Sequence, residues 1–373
     1  MGRSGLNMVK AGRQNRAVIL QTISDEGAVS RKRIAEITGL TPAGITLITN
    51  ELLSEGLIRE GEKVSPDHKA GRRQVLLELC PQVKYVWSVN LDIASAVIAL
   101  CDLSGNVILK KKMDVPKEKG QFAEEAGNVI LAETENLDPE VKERIAAIGV
   151  GVPGLVNREE GIWDNEIPVV SVLEKMTGLP CVLENNINAF AEAEIMFGTG
   201  RERDNLLIVK WGPGVGSAVV VDREVYTGRH GRTAEIGHYI VKKNGRKCWC
   251  GRHGCLETLV SAEALKELMD LKDEDVLGAY ERLDDRGKAK VDEAMDAFAC
   301  AIVNSCTILA PNRIILSGPF FREEKVRQMT VDACASYDPK IAEIRIVYTS
   351  LSDREDYIGP AACVIRRSVF AGL

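Results

Sequence analysis

Residues 247–257 read KCWCGRHGCLE and place Cys248, Cys250 and Cys255 within eight positions. The other cysteines, out of ten in the chain, are scattered. His238 lies ten residues before Cys248, in the stretch RTAEIGHYIV. Three sulfurs and one imidazole are the ligands of a closed structural zinc site, which leaves no position for a catalytic water. The pattern therefore predicts a structural Zn²⁺ bound by His238, Cys248, Cys250 and Cys255.

Other interpretations of this stretch remain open at this point. His253 is a competing ligand, although it sits in the short loop between Cys250 and Cys255. The cluster is alternatively a chance group of reduced thiols or a redox pair, but Cys-x-Cys is a poorer redox motif than Cys-x-x-Cys. Gly251 and Gly254 favour the metal, because they let the short loop bend back around an ion.

The composition is that of a soluble globular protein with two or three domains. Of the 373 residues, 45% are hydrophobic and 27% are charged, and no apolar run approaches the roughly 18 residues of a membrane helix. The opening residues MGRSGLNMVKAGRQNRAVIL lack the apolar core of a secretion signal. We therefore expect a cytoplasmic location, no membrane contact, and reduced thiols instead of disulfides.

The first eighty residues differ from the rest in charge and in pattern. They carry 12 Lys+Arg and 9 Asp+Glu, whereas the whole chain has a net charge of −6. Ser30 and Thr41 are helix N-cap candidates, and Gly39 ends the helix between them. Three short helices followed by two strands around a basic loop are typical of a winged helix-turn-helix. We predict that residues 1–80 form such an α+β domain and bind DNA.

The helix that begins after Thr41 is expected to enter the major groove, since the third helix of this fold reads the bases. Its apolar stripe is predicted to leave small and hydrogen-bonding side chains facing outward. Basic residues before this helix and in the wing suit phosphates or the minor groove. The alternative is an ordinary solvated charged face. The predicted DNA-binding residues are Arg31, Lys32, Arg33, Thr41, Ala43, Gly44, Thr46, Thr49, Asn50, Arg72 and Arg73.

From about residue 81 the pattern changes to strands that alternate with helices, which indicates an α/β fold with central sheets. The stretch IAAIGVGVPGLV (145–156) is predicted to be a buried strand that ends in a Gly/Pro loop, and GPGVGSA (212–218) is predicted to be a glycine loop that follows a strand. Such loops bind small anionic ligands in α/β folds, but a tight strand-to-strand turn is the alternative. Two similar blocks predict a second domain, 81–373, whose lobes at about 81–195 and 196–373 enclose a cleft.

These motifs together resemble the ROK family, which groups sugar-responsive repressors with sugar kinases. The resemblance covers nearly the whole chain and includes GVGVPGLV, NNINAFAEAEIMFG, AEIGH, KCWCGRHGCLE, LAPNRIILSG and YIGPAA. It implies an α/β two-lobed sugar kinase-like domain of the actin and hexokinase type, ribonuclease H-like, preceded by the winged helix. Within the family, the chain is similar to the repressor branch, which includes xylose and N-acetylglucosamine repressors.

The resemblance also implies roles for particular residues. In the family, the histidine of Glu-Ile-Gly-His and the three cysteines bind zinc. Glu235 and Glu257, with His238, match residues that hold sugar hydroxyls, and carboxylates suit this because their oxygens accept hydroxyl hydrogens. Asn185 and Asn186 complete the implied sugar site. The alternative for the two glutamates is a role as surface ion-pair partners.

Two parts of the kinase machinery are missing. Kinases of the family carry Asp-x-Gly-Gly-Thr where this chain has DIASA (92–96), so the glycines that admit phosphate are absent. The family's catalytic aspartate falls at Asn186, and an amide cannot accept a proton near pH 7 although it can bind a hydroxyl. We therefore expect no enzymatic activity. The family's Asn-Leu-Pro stretch appears as NEIPVV (165–170), which leaves the identity of the sugar open.

The sequence thus predicts a sugar-responsive transcriptional regulator. It would be a repressor that binds operator DNA through residues 1–80 and a sugar or sugar derivative in the second domain. A homodimer or a dimer of dimers is expected, because one small winged helix makes few contacts for specific binding. Two other functions remain open: an active ROK sugar kinase with an appended DNA-binding domain, and a DNA-binding regulator without a small-molecule ligand.

Overall fold

The chain divides into two compact units. The first unit is formed by Met1–Phe197 together with Asp356–Leu373, and the second by Gly198–Glu355. The predicted second lobe, 196–373, therefore differs from the second unit, because the last residues of the chain, Asp356–Leu373, belong to the first unit. No helix in the described part of the chain is long and apolar enough to cross a membrane. The computed structural model describes residues 8–64, 73–92, 95–201, 205–228, 233–269, 280–342 and 345–372.

The N-terminal part of the first unit consists of α1 (Met8–Glu26), β1 (Val29–Ser30), α2 (Arg31–Thr38), α3 (Pro42–Ser54), β2 (Ile58–Val64) and β3 (Gln74–Leu79). Three helices and an antiparallel sheet with the order β1-β3-β2 make a winged helix. As predicted, Ser30 caps α2 by accepting from the amide of Arg33, and Thr41 caps α3 by accepting from the amide of Gly44. Local hydrogen bonds thus set where both helices begin.

The rest of the first unit is built on a five-stranded sheet. Its elements are β4 (Tyr85–Leu91), β5 (Ala96–Asp102), β6 (Val107–Met113), α4 (Phe122–Glu135), α5 (Pro139–Lys142), β7 (Ile145–Val152), β8 (Val156–Asn157), β9 (Ile162–Trp163), β10 (Ile167–Pro168), α6 (Val169–Thr177), β11 (Cys181–Asn185) and α7 (Asn186–Met196). The sheet order is β11-β7-β4-β5-β6, and β8, β9 and β10 form a small separate sheet. All residues of β4 and β5 are buried, as expected for strands covered on both faces.

The second unit repeats this arrangement. Its elements are β12 (Leu206–Trp211), β13 (Val215–Val221), β14 (Glu224–Val225), α8 (Glu257–Val260), α9 (Ala262–Met269), α10 (Asp285–Leu309), β15 (Arg313–Ser317), α11 (Glu324–Tyr337) and β16 (Arg345–Tyr348). The sheet order is β14-β13-β12-β15-β16. Its core contains Trp211, whose ring stacks on Phe298 with 4.5 Å between centroids. Because both sheets share one strand order, the predicted two-lobed, ribonuclease H-like class is confirmed.

The chain ends in the first unit with α12 (Ile358–Val364) and a π-helix, Ile365–Val369. Helix α12 packs on β7 so closely that a Cβ at Gly149 would overlap the carbonyl oxygen of Pro360. A Cβ at Gly151 would in turn press on the side chain of the same proline. Gly149 and Gly151 lie within β7, so these glycines make room for a helix, and the buried strand that was predicted in residues 145–156 is confirmed.

Candidate metal centre and ligand site

Four predicted metal ligands converge in the second unit. His238 ends a short 3₁₀ helix, Ile236–His238, and one ligand atom from each of His238, Cys248, Cys250 and Cys255 lies within 4.8 Å of the others. Nδ1 of His238 is 3.6 Å from Sγ of Cys248, and the sulfurs of Cys250 and Cys255 are 3.6 Å apart. Metal–sulfur bonds of about 2.3 Å give a tetrahedron with edges of roughly 3.8 Å. The cluster can therefore hold a metal ion.

The loop reaches this shape through its glycines. Gly251 and Gly254 have φ angles of +87° and +73°, a region that glycine adopts without steric cost. At Gly254 a side chain would also overlap the carbonyl oxygen of Lys242. His253, the competing ligand, is not among the four clustered residues; its Nδ1 lies 3.4 Å from the carbonyl oxygen of Gly245.

The three thiols differ in acidity. Burial raises the pKa of Cys248, and it raises the pKa of Cys255 to about 12, to which hydrogen bonds with the other two thiols contribute. Burial also opposes ionisation of Cys250, but hydrogen bonds from Arg252 outweigh it and lower the pKa of this thiol to about 7. A sulfur must be deprotonated to bind a metal, so binding of an ion by this cluster would release protons from the thiols.

Two predicted sugar-binding carboxylates flank the same histidine. Oε2 of Glu235 lies 3.9 Å from Nε2 of His238, and Oε2 of Glu257 lies 3.7 Å from Nδ1. The side chain of Glu235 is 54% exposed, whereas that of Glu257 is 17% exposed. Burial raises the pKa of Glu257, and the charge of Glu235 adds to this, although a hydrogen bond from Trp249 opposes both. The fold thus brings Glu235, His238 and Glu257 together beside the metal cluster.

Trp249 is a residue of this site that the sequence analysis missed. It lies between two of the predicted metal ligands, Cys248 and Cys250, and its indole Nε1 donates to Oε2 of Glu257 at 3.2 Å. Its ring meets the ring of His238 edge to face, with 4.9 Å between centroids and 72° between planes. The sequence held one signal for it: a tryptophan stands in the middle of Cys-x-Cys, where the predicted metal site requires no apolar side chain.

Asn185 and Asn186, the other predicted sugar ligands, lie in the first unit, where β11 meets α7. The side chain of Asn185 caps α7: Oδ1 accepts from two amides of the first turn, and Nδ2 donates to the carbonyl oxygen of Gly154 at 3.0 Å. Nδ2 of Asn186 donates to the carbonyl oxygen of Leu91 at 3.4 Å. Helix capping is thus a structural reason for Asn185, and the sugar-binding role of both residues stays a prediction.

The segment DIASA, which replaces the phosphate loop of family kinases, connects β4 to β5. The amide of Asp92 donates to the carbonyl oxygen of Ser95 at 2.8 Å. Ile93 and Ala94 lie outside the described residues. The loss of phosphate binding here stays a prediction from the sequence.

The outward face of α3 agrees in part with the prediction. Ala43, Thr46 and Asn50 are exposed. Thr49 is fully buried, so the expectation that it faces outward to DNA is wrong. It follows Ile45 by one helical turn and therefore lies on the buried stripe, where a threonine fits because its hydroxyl has a partner.

Leu47 was missed on this face. It is 62% exposed, between Thr46 and the partly buried Ile48. Its spacing of four from Ala43 and three from Asn50 puts all three on one side of the helix. The sequence analysis did not name it, because only small and hydrogen-bonding side chains were predicted for the outward face.

The predicted cations fall into two groups. The side chains of Lys32 and Arg33 are 73% and 55% exposed, and Arg73 is exposed as well. Arg31 instead joins three elements of the winged helix, since Nε donates to the hydroxyl of Thr49 at 2.9 Å and a second nitrogen lies 3.7 Å from Glu60. Arg72 lies outside the described residues.

The chain matches the ROK family over residues 87–367 and therefore belongs to this family. The xylose repressor of Caldicellulosiruptor bescii is 27% identical over 94% of this chain and 95% of that protein. The transcriptional dual regulator NagC of Escherichia coli K12 is 26% identical over 96% of this chain and 94% of that protein. A protein of Caldicellulosiruptor sp. (strain Rt8B.4) is 33% identical over 264 residues, which are 68% of this chain and 65% of that protein.

Solved structures share the fold. A ROK family transcriptional regulator, described as a homologue of the E. coli MLC protein, aligns with a TM-score of 0.82 and 24% identity over 97% of this chain and 98% of that chain. The ROK hexokinase of Thermus thermophilus aligns with a TM-score of 0.64 and 24% identity over 74% of this chain and 97% of that chain. At this identity, the likeness establishes the fold and not the activity.

Proposed function

We propose that this protein is a sugar-responsive transcriptional repressor that lacks kinase activity. The observation that carries the proposal is a winged helix joined, in one chain, to a ROK body with an asparagine, Asn186, at the position of the family's catalytic aspartate. An amide cannot take the proton of a sugar hydroxyl, but it can hydrogen-bond to it. The names of two relatives that match over almost the whole chain, a xylose repressor and NagC, support the proposal.

Operator DNA is the proposed partner of the winged helix. Ala43, Thr46 and Asn50 are exposed on α3 and are small or able to hydrogen-bond, which suits an approach to base edges in the major groove. The exposed cations Lys32 and Arg33 on α2 suit phosphate contacts. We assign Arg31 chiefly to holding α2 against α3, because its guanidinium is already bound to Thr49.

A sugar or sugar derivative is the proposed effector. Glu235 and Glu257 place carboxylate oxygens on both sides of His238, within one unit of the chain. Carboxylate oxygens accept from hydroxyls at defined angles, so two of them can select a particular arrangement of hydroxyls. Asn185 and Asn186 are proposed as further contacts from the family match alone.

We propose Zn²⁺ as the ion of the cluster, because three thiolates and one imidazole are its preferred structural ligands. The ion would supply no chemistry beyond holding its ligands. His238, Cys248, Cys250 and Cys255 would fix the loop that leads to Glu257. Cys250→Ser is expected to lower bound zinc in elemental analysis, whereas Cys80→Ser, outside the cluster, is the control. Equal zinc in both variants refutes this assignment.

The proposed mechanism is a population shift. The effector binds two conformations of the ROK body with different affinity, and the favoured conformation changes the fit of the winged helix to DNA. A homodimer, or a dimer of dimers, is part of the proposal, because two winged helices give the contacts that one lacks. Because DNA is the proposed partner, we propose that the protein acts in the cytoplasm.

The proposal is tested on a duplex that the protein selects from a random DNA library. Fluorescence anisotropy should show tight, sequence-selective binding that one sugar among D-xylose, D-glucose and N-acetyl-D-glucosamine changes. The same sugars with ATP should give no phosphorylated product. Selective DNA binding that no sugar changes would favour a regulator without a ligand, and sugar phosphorylation would overturn the loss of kinase activity.

A further inference from the structure

Trp249 is exceptional among the tryptophans of this protein. The chain has four, and Trp87, Trp163 and Trp211 are 0%, 2% and 0% exposed. Trp249 is 76% exposed. Exposure of a large apolar ring to water is unfavourable, so a ligand that covers such a ring gains binding free energy.

The position of Trp249 is held by specific contacts. The indole N–H donates to Oε2 of Glu257 at 3.2 Å, and the ring packs edge to face against His238. On both sides of it in the sequence, Cys248 and Cys250 belong to the metal cluster. The ring is therefore tethered at one edge while most of its surface remains open to solvent.

We propose that Trp249 is a stacking platform for the sugar ring, next to the carboxylates that bind its hydroxyls. This inference rests on the proposed function and names the ligand class: a pyranose with equatorial hydroxyls. Such a ring presents its C–H bonds on its faces and its hydroxyls around its edge. An aromatic face can cover the C–H bonds while carboxylates at the rim accept from the hydroxyls, which is the usual division between apolar and polar groups in ligand sites.

The hydrogen bond from Trp249 also orients the carboxylate. Because Nε1 of Trp249 donates a hydrogen bond to Oε2 of Glu257, rotation of that carboxylate is restricted. The other oxygen, Oε1, is therefore held in a fixed direction. Glu235 lies on the other side of His238 and is more exposed, so it can reach a different hydroxyl of the same ring. Trp249 thus acts both as a contact for the sugar and as a positioning group for Glu257.

The test uses the full chain loaded with zinc and the probes D-xylose, D-glucose and N-acetyl-D-glucosamine. Because the other three tryptophans are buried, iodide should quench mainly the emission of Trp249, and a bound sugar should reduce this quenching. Calorimetry on Trp249→Ala should show roughly tenfold weaker sugar binding, and Trp249→Phe should lie between it and the wild type. Tyr337→Ala, which removes an exposed ring from α11, is the matched control.

The outcomes separate this inference from the proposed function. If the wild type binds a sugar but iodide quenching is unchanged, or if Trp249→Ala with full zinc content binds the sugar as tightly as the wild type, the platform is overturned and the sugar-responsive regulator stands. If no sugar binds the wild type, both fail. Xylitol has the hydroxyls without a ring face, so protection from iodide by xylitol as strong as that by D-xylose also overturns the stacking.

Discussion

Arg367, in the C-terminal π-helix, donates to Oε2 of Glu184 at 2.8 Å, although the two residues are 183 positions apart. The same guanidinium donates to Oε1 of Glu192 at 2.6 Å. Oε1 of Glu184 accepts from the amide of Asn185 at 2.8 Å. One buried carboxylate therefore ties the end of the chain to the junction of β11 and α7, where two of the predicted sugar ligands lie.

Arg367→Met should strongly destabilise the protein. It leaves the carboxylates of Glu184 and Glu192, with side chains 1% and 2% exposed, without this partner. Breaking a buried ion pair from one side costs about 3–5 kcal/mol. Arg59→Met is the control, because Arg59 is 70% exposed in its pair with Glu78 and a surface pair contributes at most about 1 kcal/mol. Urea unfolding followed by circular dichroism measures both, and equal losses would contradict the prediction.

Glu192→Gln should alter the acid side of the stability profile. Burial raises the pKa of Glu192, but the charges of Arg366 and Arg367 outweigh it, so the folded-state pKa lies below the ordinary 4.5. A lowered folded pKa means that the stabilisation is complete above pH 4.5 and is lost as the pH falls through the folded value. The difference in unfolding free energy between wild type and variant should therefore shrink below pH 4.5. The exposed Glu143→Gln is the control, and a difference that grows on acidification would refute the sign.

Gly254→Ala should release the proposed zinc ion, whereas Gly251→Ala should retain it. Both glycines have positive φ, which costs an alanine roughly 1–2 kcal/mol. Only at Gly254 would the new Cβ also overlap a backbone oxygen, that of Lys242, while the position at Gly251 is open. Zinc per chain, measured by elemental analysis after dialysis, tests the difference. Equal retention by the two variants would show that the loop closes without this packing.

Asn50→Ala and Lys32→Ala should affect DNA binding in different ways. Asn50 is exposed on α3, so its loss should relax the preference at one or two base positions, at a cost of about 1–3 kcal/mol. The side chain of Lys32 is 73% exposed on α2, so its loss should weaken binding to all sequences and lower the salt slope by about 1. Anisotropy at several salt concentrations, with single-base variants of the selected duplex, distinguishes them. A uniform loss for Asn50→Ala would remove it from base reading.

The parts of the protein differ in how well the sequence predicted them. The caps Ser30 and Thr41 were predicted correctly because each bond joins residues three positions apart. Thr49 was placed on the wrong face, since a small polar side chain fits either environment. Its spacing of four from Ile45 puts it on the buried stripe, where the guanidinium of Arg31, on another helix, donates to its hydroxyl.

By itself, the sequence determined the winged helix, the duplicated α/β class of the body and the four residues of the predicted metal cluster, because these follow from local spacing, capping and a dense motif. The tertiary structure alone decided that the last residues of the chain belong to the first unit and that Glu184 meets Arg367. It also decided that Trp249 stands open beside Glu257. Such contacts depend on how segments that are far apart in the sequence pack against each other in the folded chain. Local sequence patterns, such as the periodicity of apolar residues, do not encode this packing.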